Sequence, residues 1–254
     1  MNDEKSKQAS FVEHFTELRS RLLNSIIYFS IFFVICYIFA ENIYSFLVNP
    51  YAEAVKGDDV NRRLIYTALH ETFITYLKVG FFTAVFISSP IFLIQIWKFV
   101  APGLYKDEKM ALLPYLIATP ALFLLGGCLV YYLVMPLAIK FFLSFETSAH
   151  ISNLPIQLEA KVNEYLSLIM RLIFAFGLSF QLPVLLSLLA RAGFIDSIYL
   201  KKRRKYVIVI IFAVAAVLTP PDPITQIGLG IPLLILYELS ILSVKIIEKK
   251  NKDA

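Results

Sequence analysis

The sequence predicts an all-α membrane protein with six transmembrane helices, and three observations lead to that prediction. The composition is 58% hydrophobic with 17% charged residues, whereas soluble domains are roughly 45–50% apolar and about a quarter charged. The apolar residues gather into six segments. Lysine and arginine fall mainly on alternate connections between those segments. We therefore expect a single integral membrane domain over residues 1–254.

The six predicted spans differ in length. The first four are long enough for a hydrocarbon core of about 30 Å, which a helix crosses in roughly 20 residues. The fifth, YVIVIIFAVAAVLT, is only about 21 Å long, and the prolines of TPPDP allow only a tight turn before the sixth. These two predict a short final hairpin, with either local thinning of the bilayer or extra tilt of the neighbouring helices. The spans cover 22–40, 73–97, 110–135, 165–190, 206–219 and 224–244.

Prolines within the spans predict kinked helices, which form either a concave bundle or the broken-helix sites of transporters, and the pattern does not choose between them. Gln181 is the polar side chain closest to mid-depth, where it would make an interhelical hydrogen bond or contact a passing substrate. No charge falls firmly at the midplane, which counts against an ion-coupled transporter. The interrupting prolines are Pro90, Pro114, Pro120, Pro183 and Pro232.

The distribution of lysine and arginine predicts that both termini are cytoplasmic. The two tails and the connections 98–109 and 191–205 hold 17 of these residues, and the opposite connections hold five. The outer connections, 41–72 and 136–164, are long enough to form small caps.

No pattern of catalytic or metal-binding residues is present. The three histidines have no paired-ligand spacing, and neither a GxSxG motif nor a glycine-rich phosphate loop occurs. We therefore expect neither an enzyme nor a cofactor. The basic residues form no continuous stripe, which argues against nucleic-acid binding. Cys36 and Cys128 lie inside apolar spans, where buried packing is expected rather than a disulfide.

Two carboxylates on the predicted cytoplasmic side are candidates for ligand binding. In VEHFTELRSRLLNSII, Glu17 lies one helical turn before Arg21 and can pair with it, whereas Arg19 points elsewhere. In WKFVAPGLYKDEKM, Glu108 follows Asp107 in the first inner loop. One interpretation is an interfacial helix and a loop with solvated charges. The other is a site for an external guanidinium, which a carboxylate binds in bidentate fashion.

Four stretches carry a resemblance to a known family. They are HFTELRSRLL, SSPIFLIQIWKFVAPGLYKDEK, FAFGLSFQLPV and KKRRKYVIVIIFAVAAVLTPPDPITQ. Together with the shortened final hairpin, they resemble TatC, the polytopic subunit of the twin-arginine protein translocase. The resemblance runs in family order over residues 11 to 244.

The resemblance implies a core receptor that binds twin-arginine signal peptides of folded substrates and nucleates assembly for their export. It places Glu17 and Glu108 in the signal-peptide site and Arg19 at the basic position of the tail motif. Pro50 corresponds to a functional proline of the first outer loop, and Asp222 to the acidic residue of the last outer turn. At position 181 the family often has glutamate, so a mechanism needing a carboxylate there would not apply to Gln181.

The resemblance also implies partners and a location. Small single-span subunits would bind the bundle, and the protein would be a homo-oligomer within a larger complex. The location would be the bacterial cytoplasmic (inner) membrane, with export driven by the proton-motive force. The alternative is a secondary transporter or channel for a small solute. The two differ in where acidic residues lie, because a receptor needs them at the cytoplasmic surface and a coupled transporter at mid-depth.

Overall fold

The computed structural model describes residues 2–56, 62–104, 113–146, 156–219 and 222–253, with side chains at residue 16 and over 19–56, 62–96, 114–146, 156–219 and 222–249. These residues are almost entirely helical, and within them the only β-type pairing is an isolated bridge between Ile65 and Lys161. The helices are α1 (Asn2–Ile38), α2 (Ala40–Ala54), α3 (Glu71–Leu104), α4 (Leu113–Leu129), α5 (Met135–Leu143), α6 (Val162–Ser179), α7 (Leu182–Arg191), α8 (Ser197–Leu218) and α9 (Pro223–Asp253).

Five helical segments in the described part of the chain are long and apolar enough to cross a membrane. This confirms the prediction of an all-α membrane protein. The segment α8 is a 22-residue helix, but it carries five consecutive basic residues at 201–205, and six spans remain a prediction. The five segments are Arg19–Ile38, Glu71–Ile96, Pro114–Leu143, Val162–Arg191 and Pro223–Lys249.

The third span was predicted to end at about residue 135, but the helix that contains it runs further. A π-helical turn, Val130–Val134, connects α4 to α5, so the helix continues to Leu143. Pro136 has no N–H to donate to an earlier carbonyl, and the helix accommodates it with a wider, π-helical turn. The Met135 N–H donates to the Val130 carbonyl, five residues earlier. The apolar sequence MPLAIKFFL then continues the helix beyond the predicted boundary.

The fifth span, 206–219, was predicted to follow a basic loop over 191–205, but residues 197–205 are already helical. The residues 201–205 form the second turn of α8 rather than a loop. Two carboxylates start the helix earlier. Asp196 accepts a hydrogen bond from the Tyr199 N–H, and Glu248 on α9 accepts from the N–H and hydroxyl of Ser197. Acidic groups at a helix N-terminus satisfy its free N–H groups and favour its dipole.

Helices α1 and α3 pack side by side in opposite directions. Arg21 lies beside Gln95 at one end of the pair, and the Phe33 and Phe81 rings contact each other further along, with centroids 6.1 Å apart. Gly80 allows the close approach, because a Cβ there would lie 3.2 Å from the Tyr37 Cα.

A compact group of segments covers one end of the bundle. We call this the cap end and define it by α2 with residues 62–70 and 156–161; the opposite end, towards the start of α1, is the tail end. The chain segments that precede α3 and α6 pair in parallel at the isolated Ile65–Lys161 bridge. Both helices therefore begin at the cap end. Arg62 and Glu146 make a double hydrogen bond of 2.6 Å on each arm. This agrees with the expected small caps on the outer connections.

The interior of the bundle is formed by α4, α6 and α9. A Cβ at Gly126 would lie 2.8 Å from the Phe176 carbonyl oxygen, so α4 and α6 approach to backbone contact. Of the predicted kinks, Pro183 coincides with a break between α6 and α7 at residues 180–181. The helices α3, α4 and α9 continue through Pro90, Pro120 and Pro232, and Pro114 is the second residue of α4.

The two cysteines differ in their environments. Cys36 is buried as predicted, but Cys128 is exposed, which corrects the prediction for that residue. Both are free thiols. Cys128 lies on the outer side of α4, where an apolar residue can face lipid instead of protein.

Candidate functional site

The charged start of α1 is tied to α3 through an arginine and a glutamine. The Arg21 Nη1 atom donates to Gln95 Oε1 at 3.0 Å, and the Ser25 hydroxyl donates to the Arg21 carbonyl. Arg19 is exposed, as expected for a residue on another face of the helix. Gln95 and Arg21 are 74 residues apart, so the local sequence does not pair them.

Two of the predicted site residues lie outside the described side chains. Glu17 belongs to α1, but its side chain is outside the described part, and Glu108 lies in 105–112, which is outside it entirely. The predicted pair of Glu17 with Arg21 is therefore not tested. Glu17 is four residues, or about 6 Å along the axis, from Arg21 towards the tail end. Glu108 follows the end of α3, which also points to the tail end.

Pro50 is buried inside α2 rather than lying in an irregular loop. A proline in a helix removes the N–H that would bond the carbonyl four residues earlier, which here is that of Phe46. The Tyr131 hydroxyl donates to this carbonyl at 2.8 Å, and the Tyr131 and Phe46 rings stack with centroids 4.3 Å apart. The Tyr165 hydroxyl bonds the next carbonyl, that of Leu47. Pro50 thus leaves an acceptor that links α2 to the π-helical turn.

Gln181 lies in the break between α6 and α7 and is buried. Its Nε2 atom donates to the Thr119 carbonyl on α4 at 2.9 Å. This is the interhelical hydrogen bond that the sequence predicted as one of two alternatives for this side chain. The Gln181 Oε1 and the Thr119 hydroxyl are buried without a hydrogen-bond partner among the described groups.

Asp222 caps the N-terminus of α9 and is buried. Its carboxylate accepts from the Thr225 N–H at 2.7 Å and from the Thr225 hydroxyl. Pro223 follows as the first helical residue, a position that suits proline because no N–H is needed there. The acidic residue of the last turn therefore has a structural role that the sequence did not predict.

Three of the predicted residues with described side chains belong to different elements. Pro50 and Asp222 belong to α2 and to the start of α9, and Gln181 is buried between α4 and the α6–α7 break. Arg19 is exposed, and the side chains of Glu17 and Glu108 lie outside the described part. What the described residues do bring together is α1 and α3, through Arg21 and Gln95.

Sequence reasoning missed one pair at the cap end. The Arg62 and Glu146 side chains are 8% and 19% exposed, and Glu146 also accepts from the Leu158 N–H. The hydrogen bond from Arg62 holds the pKa of Glu146 below its ordinary value. Opposite charges 84 residues apart leave no signal in the local sequence, so only the fold pairs them.

Buried polar groups in the five apolar segments are uncharged. Within the described side chains of those segments, every buried polar residue is serine, threonine or glutamine. The described residues also contain no group of three His, Cys, Asp or Glu side chains placed to hold a metal ion.

Comparisons with known proteins agree on one family. The family model described as Sec-independent protein translocase protein (TatC) matches residues 13–232. A TatC of Magnetococcus marinus is 47% identical over 253 residues, covering 100% of this chain and 90% of the relative. A TatC of Rickettsia prowazekii is 46% identical, covering 95% of each chain. The crystal structure described as twin arginine translocase receptor TatC in DDM superimposes with a TM-score of 0.76 at 37% identity, covering 90% of this chain and 98% of that one.

Proposed function

The chain belongs to the TatC family of Sec-independent protein translocase proteins, and from this premise we propose that it is the core receptor of a twin-arginine translocase. It binds the twin-arginine signal peptides of folded substrates at the tail end and nucleates the assembly that exports them. The similar crystal structure is that of a twin arginine translocase receptor, and the relatives carry the translocase name.

The packing of α1 against α3 is the observation that supports a binding site at the tail end. The Arg21–Gln95 hydrogen bond fixes the relative level of the two helices. From that level, α1 runs towards Glu17, and α3 runs nine further residues, about 14 Å, to Leu104. Glu108 follows four residues later in the sequence. In the sequence, Glu17 precedes this level on α1 and Glu108 follows it after α3, and we infer that the two carboxylates lie near each other at the tail end.

The chemistry of the ligand accounts for two carboxylates. A guanidinium presents its N–H donors in a planar fork that fits a carboxylate, whereas a lysine ammonium is a compact charge without that fork. Glu17 and Glu108 would each bind one arginine of the signal. Arg19 would order the motif around the site.

Crosslinking in isolated membranes tests the site. A twin-arginine signal peptide with a photoreactive group should crosslink to residues beside Glu17 and Glu108, and a twin-lysine version should crosslink at least tenfold less. Glu17→Ala combined with Glu108→Ala should abolish the difference between the two peptides, because both forks lose their acceptors.

A matched control removes the same number of carboxylates nearby. Glu13 lies one helical turn before Glu17, and Asp107 immediately precedes Glu108. Glu13→Ala combined with Asp107→Ala should keep the preference for arginine. If both double variants bind the peptide alike, or if the twin-lysine peptide crosslinks as well as the twin-arginine one, the site assignment is refuted.

We further propose the orientation and the partners. The tail end would face the cytoplasm and the cap end the outside of a bacterial inner membrane, in line with the 17-to-5 distribution of lysine and arginine. Small single-span subunits and further copies of the chain would pack on exposed apolar helices. The first apolar segment, Arg19–Ile38, is only 11% buried within the chain, so most of its surface is available to lipid or to another helix.

The alternative of a small-solute transporter or channel gains no support from the comparisons. The neutral buried groups of the described spans agree with that outcome, because an ion-coupled path places ionisable residues inside the membrane. The family is that of a protein translocase component, and catalysis forms no part of the proposal.

A further inference from the structure

An apolar groove with two cations opens between α3 and α6. Its volume is about 470 Å³, and it is lined by side chains from both helices and by Leu218 at the end of α8. Phe81, Val85 and Leu178 give it an almost wholly apolar wall. Lys78 and Arg171 are the charged residues in the lining, and both are exposed.

Neither cation is neutralised by the described part of the chain. The Lys78 ammonium donates to the Asn163 Oδ1 atom at 2.8 Å, which leaves two of its three donors. No ion pair joins Lys78 or Arg171 to a described carboxylate. Two cations on apolar helices, in a membrane protein, require an anion or water to compensate them.

The two cations lie towards the cap end of the groove. Helices α3 and α6 both begin at the cap end, so residues lie deeper as their numbers rise. Lys78 is the eighth residue of α3 and Arg171 the tenth of α6. Val85 and Leu178 lie seven residues further along each helix, about 10 Å deeper. The groove is therefore charged near the cap end and apolar below.

The final hairpin of α8 and α9 ends beside this groove. Leu218 is the last residue of α8, yet it lines the same groove as Leu178, which is 17 residues into α6. The tip of the hairpin thus lies beside the groove-lining part of α6, which begins at Ser167, about 8 Å below the start of that helix. Among the described residues that line the groove, only Leu218 comes from outside α3 and α6. Above the hairpin tip, lipid headgroups would therefore lie deeper in the bilayer, near Arg171.

We propose that this groove binds a phospholipid of the cap-side leaflet. Its phosphate pairs with Lys78 and Arg171, and one acyl chain lies along α3 and α6 towards Leu218. An anionic lipid fits best, because the headgroup cation of a zwitterionic lipid would add a positive charge beside the two that are already present. The bound lipid would hold the leaflet at its thinned depth beside the hairpin. This inference is independent of signal-peptide binding.

Native mass spectrometry of the full chain in detergent tests the proposal with added phosphatidylglycerol or phosphatidylcholine. The wild-type chain should retain one phosphatidylglycerol in preference to phosphatidylcholine. Lys78→Gln combined with Arg171→Gln should reduce retention about 25-fold, since each cation near an anionic lipid contributes roughly fivefold. Leu178→Trp should also reduce it, because the larger ring fills the apolar part of the groove without altering the cations.

The control removes two cations elsewhere at the cap end. Lys56 and Arg63 are exposed and lie outside the groove, so Lys56→Gln combined with Arg63→Gln should leave retention unchanged. Equal loss in this control would mean general charge attraction, and full retention by the Lys78–Arg171 variant would mean no headgroup site. If that variant keeps the lipid but loses a co-purified single-span protein, the groove binds an acidic protein segment instead. Each of these results overturns the proposal.

Discussion

The hydrogen bond from Tyr131 to the Phe46 carbonyl should stabilise the fold because Pro50 is present. Tyr131→Phe removes one hydroxyl and keeps the ring stacked on Phe46, so no cavity forms. The carbonyl is then left without a donor. A partly buried orphaned acceptor costs roughly 1–3 kcal/mol, and interhelical bonds in membrane proteins average about 0.6 kcal/mol, with a maximum near 1.7. We expect a loss of about 1–1.5 kcal/mol in the free energy of unfolding.

The same substitution in a Pro50→Ala background should cost less. The alanine supplies the backbone N–H that bonds the Phe46 carbonyl, and the cost of losing the Tyr131 hydroxyl falls to about 0.5 kcal/mol. The hydroxyl also contacts the Asn49 side chain, but that contact is lost in both backgrounds and cancels in the cycle.

The four variants can be compared by reversible unfolding in mixed detergent micelles with increasing dodecyl sulfate. The expected coupling energy between positions 50 and 131 is about 1 kcal/mol. An equal cost of Tyr131→Phe in the wild-type and Pro50→Ala backgrounds would refute the reasoning that Pro50 creates the acceptor.

Two more predictions follow from the cap end and the final hairpin. Glu146→Gln should lower the free energy of unfolding by about 2 kcal/mol, because it breaks a double hydrogen bond to a largely buried arginine; Glu53→Gln, in an exposed pair with Lys56, should cost under about 0.5 kcal/mol. The pKa of Glu146 is lowered in the fold, so its contribution should persist above the ordinary value of 4.5 and disappear as the pH falls through the lower folded value. If the curves of unfolding free energy against pH for the wild type and Glu146→Gln stay parallel below pH 4.5, the pairing is contradicted. Inserting four apolar residues within 206–219 lengthens the short hairpin by about 6 Å and should impair export of a twin-arginine reporter, whereas adding the same residues after Ala254 should not; unchanged export would reject a role for local thinning.

The fold class could be predicted because it depends on hydropathy summed over short stretches of the chain. Hydropathy over about 20 residues identifies a span regardless of its neighbours, and five such segments are present in the structure. Boundaries were less predictable. The helix passes Pro136 through a π-helical turn that the sequence did not indicate. The early start of α8 depends on Glu248, a carboxylate 51 residues from its partner Ser197.

The candidate site illustrates the same division. Glu17 and the pair Asp107–Glu108 stood out because carboxylates among basic residues need an explanation beyond topology; the resemblance selected Glu108 from that pair, and the roles remain a proposal. Pro50 and Asp222 were identified only by resemblance. In the structure, Pro50 leaves the Phe46 carbonyl free to accept a hydrogen bond from Tyr131, and Asp222 caps α9 through Thr225. The resemblance does not contain these roles.

By itself, the sequence determined that this chain is an α-helical membrane protein and indicated its family, because apolar length and local motifs are written along one segment at a time. Only the tertiary structure decided which polar groups meet. Arg21 and Gln95 are far apart in the chain, as are Arg62 and Glu146. The same holds for Lys78 and Arg171, which line one groove without bonding each other. A hydrogen bond or ion pair acts over a few ångströms, so its partners are set by the packing of helices rather than by their order.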